Sequence, residues 1–224
     1  MSSAAGRSGR ALELPSRLTQ VRSLSLRMRL PASTPSLPPR ELPAPYRWAR
    51  FGEPHADSAS WARVCAEAGE YSLAADPEAA LAEHFHWEFG ARVAELPARM
   101  LFIVDGEAGG AVGTATAWDD SAPAQRDGEQ PEGPIPAASS TASSGPRRGR
   151  VHWVSVSPRA QGLGLGKALL AKVVERLRDL HQGDLLLTTS TTSARAIAMY
   201  TECGFVPEPR GRTAHGGYSP EELQ

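Results

Sequence analysis

A glycine-rich stretch in the second half of the chain constrains the fold more than any other feature. It covers residues 156–170, VSPRAQGLGLGKALL, and contains Gly162, Gly164 and Gly166. The β-rich residues 150–156 precede it. The residues that follow repeat apolar side chains at helical spacing, with charged residues between them. The sequence therefore predicts a central strand, a tight glycine turn and an amphipathic helix that packs on a sheet.

Such a turn is suited to bind an anion. The first amides of a helix have no intrahelical partner and lie at the positive end of the helix dipole. Glycine lets a ligand approach the backbone closely and tolerates a positive φ. The turn is therefore a candidate phosphate-binding site.

The spacing of the glycines distinguishes between three kinds of nucleotide-binding motif. A dinucleotide fingerprint requires a glycine where the chain has Lys167. A Walker loop requires a glycine and a hydroxyl residue where the chain has Gln161 and Ala168. The pattern that fits is Q/R-x-x-G-x-G/A, carried by Gln161, Gly164 and Gly166.

A second block follows at residues 193–205, SARAIAMYTECGF, after the short β-rich run DLLLTT. Together the two blocks resemble the GNAT superfamily of acyl-CoA-dependent N-acyltransferases. In that family the glycine turn receives the pyrophosphate of coenzyme A, and the later helix carries N-x-x-A-x-x-x-Y-x-x-x-G-F. The motif is matched by Ala196, Tyr200, Gly204 and Phe205. Ser193 replaces the usual asparagine, and we expect it to cap the helix.

The resemblance implies one domain over residues 41–210 with the α/β GNAT fold: a central mixed, mostly antiparallel sheet of six to seven strands flanked by helices. The earlier segments fit the family order β-α-α-β-β-insert-β-α-β-α-β. They comprise a first strand at 46–51, helices at 60–68 and 77–94, and a hairpin of strands 100–104 and 111–118. Little chain remains after Phe205, so we expect a seventh strand to be short or absent.

Three segments are predicted to lie outside the ordered domain. Residues 1–40 are rich in arginine and then in proline, which favours disorder, although a transit peptide has a similar composition and stays an alternative. A Pro- and Ser-rich insert at about 119–149 cannot bury enough apolar surface to fold. It interrupts the domain without dividing it, because long loops cost little free energy. Residues 211–224 are expected to form a tail.

Composition limits the function classes. The chain has 224 residues, 41% of them hydrophobic, and a net charge of −1, which gives no electrostatic case for nucleic acid or an anionic membrane. No apolar run approaches the roughly 20 residues of a membrane helix. Cys65 and Cys203 lack zinc-ligand neighbours and are expected to be buried thiols, and His84 and His86 lie on different helix faces, so no metal is expected. We expect a soluble cytoplasmic protein and leave homodimer formation open.

The resemblance implies transfer of an acetyl group from the co-substrate acetyl-CoA to the primary amine of a small molecule or peptide. The amine attacks the thioester, and the tetrahedral intermediate expels the thiolate. Tyr200 matches the family tyrosine that protonates the thiolate, with a packing role in the core as the alternative. The strand before the turn offers no carboxylate base, so His152 is the candidate there. Glu88, on the helix that lines the acceptor groove in the family, and an ordered water are the alternatives.

The resemblance also implies a cofactor site around the turn. Backbone groups of Val154 and Val156 are expected to bind the pantetheine arm as a neighbouring strand would. Lys167 and Arg159 are candidates for phosphate contacts, with a solvated lysine as the alternative. The other predicted cofactor contacts are Gln161, Gly162, Leu163, Gly164, Leu165, Gly166, Ser193 and Ala196.

Two other functions stay open at this point. A regulatory acyl-CoA-binding module of the same fold is favoured by Ser193 and by the absence of an obvious base. A P-loop-like nucleotide hydrolase is disfavoured, because Lys167 is not followed by serine or threonine. No motif identifies the acceptor, since the groove that would bind it is built from helices and loops without a recognisable pattern.

Overall fold

The computed structural model describes residues 24–119, 148–181 and 183–208. Its strands are β1 (Ser25–Leu30), β2 (Tyr46–Arg50), β3 (Met100–Asp105), β4 (Ala111–Asp119), β5 (Gly149–Val156), β6 (Leu185–Ser190) and β7 (Val206–Pro207). Its helices are α1 (Ser58–Glu67), α2 (Pro77–Phe89), α3 (Leu96–Arg99), α4 (Leu165–Leu180) and α5 (Ala194–Glu202). Two 3₁₀ turns, Gly90–Glu95 and Pro158–Ala160, complete the described elements.

The seven strands form a single sheet in the order β2-β3-β4-β5-β6-β1-β7. Every neighbouring pair is antiparallel except β5 and β6, which are parallel. This confirms the predicted mixed, mostly antiparallel sheet, with β5 as its central strand. The predicted hairpin is confirmed as β3 and β4, and α4 is the crossover helix that a parallel pair requires.

Helix α4 covers one face of the sheet because its apolar residues form a single stripe. Leu169, Leu170, Val173, Val174 and Leu177 are buried in one core cluster, together with residues of the strands. Burial of each such side chain contributes about 1.5–3 kcal/mol. The helix therefore fixes the position of the glycine turn that precedes it.

Helices α1 and α2 cover the other face and enclose an aromatic core. Each begins at an aspartate N-cap, Asp57 and Asp76, whose side chain accepts a hydrogen bond from a backbone amide of the first turn. The predicted helix over 77–94 is too long, because α2 ends at Phe89. Arg92 leaves the helical conformation at φ −132°, and its guanidinium binds the carboxylates of Glu95 and Asp119.

The expectation that residues 1–40 lack order is wrong for residues 24–40, and the strand predicted to be first is the second, β2. Strand β1 lies between β6 and β7 and buries Met28 and Leu30 completely. The two arginines of β1 are neutralised by its neighbours, since Arg27 pairs with Glu208 and Arg29 with Asp184, each at 2.8 Å. Residues 1–23, with the transit-peptide alternative, lie outside the described residues.

We expect Met28→Ala to lower the free energy of unfolding by at least about 2 kcal/mol, because it leaves a cavity in the core beside α4. Arg27→Ala on the same strand should cost less than about 1 kcal/mol, since its ion pair is half-exposed. Denaturant unfolding of the full chain measures both. Equal, small effects would contradict the position of β1 inside the sheet.

The insert and the chain end can be compared with the prediction only at their boundaries. Strands β4 and β5, which flank the predicted insert at 119–149, are neighbours in the sheet as expected. Residues 120–147 and the predicted tail 211–224 lie outside the described residues. The seventh strand has two residues, which agrees with a short final strand. In the described part of the chain, no helix has the length and apolarity needed to cross a membrane.

Candidate functional site

The parallel strands β5 and β6 separate after a single residue pair. Within the described ranges, Arg150 and Leu186 are the one registered pair between them. Beyond Arg150, β5 stays paired with β4 on its other side. A cleft therefore opens between β5 and β6 at the end of β5 that leads into the glycine turn.

Backbone groups of β5 face this cleft. Ser157 donates its amide to a carbonyl in β4 at 2.8 Å, and Ser155 is registered against the same strand. Alternate residues of a strand direct their hydrogen-bonding groups to opposite sides. The amides of Val154 and Val156 therefore point away from β4 and toward β6, where the sequence predicts a bound pantetheine arm.

The glycine turn has the conformation expected for an anion site. Gly162 and Gly164 adopt φ values of 81° and 79°, and a Cβ on either would meet no atom within 4 Å, so the space before them is open. The first helical bond of α4 joins the Ala168 amide to the Gly164 carbonyl at 3.1 Å. The amides of residues 165–167 therefore lack intrahelical acceptors, and the first turn carries no acidic residue.

Two polar side chains of the turn are engaged within the protein. The Gln161 side-chain amide donates to the Val156 carbonyl at 3.0 Å, which fastens the turn to the end of β5. The Lys167 ammonium pairs with Glu202 of α5. Lys167 thus connects the two helices that border the cleft, and its predicted phosphate contact would compete with Glu202.

The remaining residues of the turn differ in exposure. Leu165 is fully buried, whereas Leu163 is 48% exposed. A Cβ on Gly166 would lie 3.3 Å from the Met199 sulfur, so α4 and α5 approach closely at this position. The turn is therefore packed against α5 on one side and open on the other.

Helix α5 carries the second motif as predicted, with one correction. Ser193 occupies the N-cap position, but its side chain makes no capping hydrogen bond, because its backbone conformation is not the extended one that capping residues usually adopt. Ala196 is half-buried against the core beside α4. At the other end Gly204 has φ 88°, and the Phe205 amide donates to the Tyr200 carbonyl at 3.0 Å, which confirms the predicted glycine at the helix end.

Tyr200 is a buried phenol, only 7% exposed, on the side of α5 that packs on the core. Burial raises its pKa to about 12, and the carboxylate of Glu70 adds to this effect. Glu70 also raises the pKa of Tyr71, after the larger effect of burial. Tyr200 is therefore protonated at neutral pH and lies in electrostatic reach of the turn that joins α1 and α2.

The structure brings together the two candidate bases. The His152 side chain points to the face covered by α1 and α2, where its Nε2 lies 3.1 Å from Oε1 of Glu88. This is an ion-pair distance whose angle does not make a regular hydrogen bond. Burial lowers the pKa of His152 below its usual value, although Glu88 opposes this. Burial also disfavours the Glu88 carboxylate, but the imidazoles of His152 and His84 outweigh it and hold its pKa at about 2.

We expect the free energy of unfolding to fall as the pH is lowered. Because the folded-state pKa of His152 lies below its usual 6.5, the unfolded chain binds the proton first and stability falls as the pH drops below about 6.5. The depressed pKa of Glu88 adds a second loss between about pH 4.5 and 2. Denaturant unfolding across this range measures both, with His86→Asn as the exposed control. A His152→Asn variant with the same pH dependence as the parent would contradict the first step.

Sequence reasoning missed three residues next to this pair. Tyr71 contacts His84, with its hydroxyl 2.8 Å from Nδ1, and His84 Nε2 lies 3.6 Å from Oε2 of Glu88. Trp153 occupies a bulge in β5 at φ 51° and packs on His84 with the ring centroids 5.2 Å apart. The available signal was the i,i+4 spacing of His84 and Glu88 on one helix. The approach of Tyr71 and Trp153 depends on tertiary structure.

Comparison with known proteins agrees with this architecture. Residues 61–205 match the sequence model of the acetyltransferase (GNAT) family. The match covers more than half of the chain and runs from α1 to the end of α5. It therefore includes the cleft, the glycine turn, His152 and Tyr200.

Curated relatives match over a shorter stretch. The mycothiol acetyltransferase of Paenarthrobacter aurescens (strain TC1) is 41% identical over 61 residues, which are 27% of this chain and 19% of that protein. The mycothiol acetyltransferase of Cellulomonas flavigena is 36% identical over 77 residues, 30% of this chain and 22% of that protein. The chain thus spans only about a fifth of the length of the curated relatives that it matches.

Solved structures share the fold. A GCN5-related N-acetyltransferase from Sphaerobacter thermophilus superposes with a TM-score of 0.56 at 17% identity, over 82% of this chain and 48% of that one. A tandem GNAT protein from the clavulanic acid biosynthesis pathway gives a TM-score of 0.54 at 14% identity, over 84% and 51%. At such identities the likeness shows the architecture alone.

Proposed function

Because the chain belongs to the GNAT family of acetyltransferases, we propose that it moves an acetyl group from acetyl-CoA to the primary amine of a small molecule or peptide. One observation carries the proposal: the open glycine turn, with its free amides, lies at the end of a β5 edge that faces a cleft. A phosphate group fits the turn, and an extended amide-bearing arm fits the strand edge. Acetyl-CoA has both parts.

The proposed cofactor contacts follow from this geometry. The amides of residues 165–167 would hold the pyrophosphate, and the positive φ of Gly162 and Gly164 turns the backbone toward it. The amides of Val154 and Val156 would bind the pantetheine arm. Ser193 and Ala196, at the start of α5, would contact the arm from that helix. Acetyl-CoA supplies the thioester that the amine attacks.

The proposed reaction is direct attack by the amine. The amine lone pair forms a bond to the thioester carbon, and the proton that the nitrogen loses passes to the imidazole of His152, directly or through water. Burial keeps that imidazole neutral at pH 7 and so ready to accept a proton. The intermediate then collapses by breaking the carbon–sulfur bond, and Tyr200 donates its phenolic proton to the thiolate.

The curated relatives bear on the acceptor. Their name, mycothiol acetyltransferase, supports an amine on a small molecule rather than on a peptide. The matched stretch is a fifth of their length, so it supports acetyl transfer more strongly than any one acceptor. The cytoplasmic location expected from the sequence stays a prediction.

An amine panel tests the proposed function. The full chain is incubated with acetyl-CoA and amino acids, polyamines, amino sugars, aminothiols or peptides, and release of free thiol is measured. We expect release that depends on one class of amine, with a product heavier by one acetyl group. Binding of acetyl-CoA without modification of any amine would instead support the regulatory module, which Ser193 still favours. Binding of ATP in its place would support the nucleotide hydrolase.

A further inference from the structure

Four polar side chains form a continuous line through the core between the sheet and α2. The Tyr71 hydroxyl contacts Nδ1 of His84 at 2.8 Å, and Nε2 of His84 lies 3.6 Å from Oε2 of Glu88. The other carboxylate oxygen, Oε1, lies 3.1 Å from Nε2 of His152. One carboxylate therefore stands between two imidazoles, and the line extends from β5 to the half-buried Tyr71.

Burying these polar side chains lowers the stability of the fold. The side chains of Glu88 and His152 are 1% and 6% exposed, and that of His84 is 10% exposed. Removing such groups from water costs several kcal/mol each, and apolar residues of similar size in their place are often as stable or more so. The surroundings are aromatic, with Phe89 and Trp153 against the His152 ring. A stabilising role alone therefore accounts poorly for the presence of these buried polar side chains.

Two residues that pack on His84 have strained backbone conformations. Tyr71 and Trp153 have φ values of 54° and 51°, a left-handed conformation that bulky residues rarely adopt. Both pack on His84, with ring centroids 5.6 and 5.2 Å away. Such strain costs about 1–3 kcal/mol per residue and concentrates at functional sites. Two separate segments, the α1–α2 connection and β5, are thus strained to enclose one imidazole.

We propose that Glu88 is the positioning residue for His152, and that His84 and Tyr71 hold the Glu88 carboxylate in place. The inference rests on the proposed function, in which His152 takes the amine proton. The Glu88 carboxylate, 3.1 Å from Nε2 of His152, electrostatically favours a proton on Nε2, so Nδ1 is the nitrogen left to accept one. When Nδ1 takes the proton that the amine loses, the carboxylate stabilises the imidazolium and stays ionised.

The imidazole of His84 has its own role, which is to restrain the Glu88 carboxylate. Nε2 of His84 lies 3.6 Å from Oε2 of Glu88, and the Tyr71 hydroxyl holds the His84 ring through its Nδ1 at 2.8 Å. The His84 ring therefore restrains the carboxylate from rotating away from His152. The charged and titratable groups that face His152 are Glu88 and His84 from α2 and Arg150 from its own strand. Among these Glu88 alone is negative, and its removal leaves no charge to favour the imidazolium.

Glu88→Gln tests the inference, because it keeps the size of the side chain and removes its charge. We expect kcat to fall roughly 10- to 100-fold with the Kd for acetyl-CoA unchanged. Loss of the carboxylate lowers the pKa of His152, so the acid limb of the pH–kcat profile moves to lower pH. Glu83→Gln, exposed on the same helix, should match the parent. Tyr71→Phe should lower kcat less than Glu88→Gln.

A measurement independent of activity accompanies the kinetics. Nitrogen-15 NMR of the histidine side chains reports which imidazole nitrogen of His152 carries the proton. We expect the Nε2–H tautomer in the parent, and in Glu88→Gln a mixture of tautomers with a lower titration midpoint. The same tautomer and midpoint in both proteins would overturn the inference, as would an active parent with unchanged kcat in Glu88→Gln. If the parent acetylates no amine, the proposed function fails, and the tautomer result alone decides whether Glu88 positions His152.

Discussion

Tyr200→Phe lowers kcat about 100-fold and leaves the Kd for acetyl-CoA nearly unchanged. The substitution removes only the phenolic hydroxyl, and loss of a general acid typically costs 10²- to 10⁴-fold in rate. Burial keeps the phenol protonated at neutral pH, with a pKa of about 12, so the proton is available when the thiolate leaves. The ring itself still packs against Phe205, so the core near α5 is retained.

Steady-state kinetics with the best amine of the panel measures kcat, and calorimetric titration measures the Kd for acetyl-CoA. Tyr46→Phe, which removes the hydroxyl of a half-buried tyrosine on β2, is the matched control and should keep the parent kcat. An unchanged kcat in Tyr200→Phe would mean that Tyr200 serves only to pack the core. The acid would then have to be a different group or a water.

Gly164→Val weakens the binding of acetyl-CoA about 100-fold. Valine cannot adopt φ 79° without strain, so the turn must rearrange and its amides no longer converge. A hydrogen bond to a charged phosphate contributes about 1.5–3 kcal/mol, so the loss of one or two such bonds accounts for an effect of this size. The expected loss lies in binding, because the proposed catalytic groups are on β5 and α5.

Gly183→Val separates this effect from simple strain. Gly183 has φ 99° and open space around it, like Gly164, but it lies in the turn between α4 and β6, at the far end of the helix. We expect a similar loss of stability in both variants and a loss of acetyl-CoA affinity in Gly164→Val alone. Equal affinity in the two would place the pyrophosphate away from the glycine turn.

Local sequence signals predicted the parts of the site that depend on neighbouring residues. The turn at Gly162 and Gly164 could be predicted because glycine is the residue that adopts a positive φ without strain at two closely spaced positions. Strand β5 and helix α4 flank it with clear periodicity, and the spacing from Gln161 to Tyr200 matches a single family. The order of helices and strands along the chain, from β2 onward, followed from that match.

The remaining parts depend on contacts between distant residues. Strand β1 has alternating apolar residues, but Arg27 and Arg29 within an arginine-rich segment indicate a solvated chain. Their carboxylate partners, Glu208 and Asp184, are more than 150 residues away, so the neutralisation is invisible in the sequence. The contact between Glu88 and His152 could not be predicted for the same reason. Glu88 lies on a helix and His152 on a strand 64 positions later, and only the tertiary fold brings them together.

Calorimetric titration of the full chain with acetyl-CoA, and in parallel with ATP and NADH, tests the account most directly. The open turn, the strand edge and the family membership all lead to one ligand. We predict micromolar binding of acetyl-CoA, with one site per chain, and no binding of the two nucleotides at the same concentrations. Absence of acetyl-CoA binding, or equal affinity for ATP, would contradict the account.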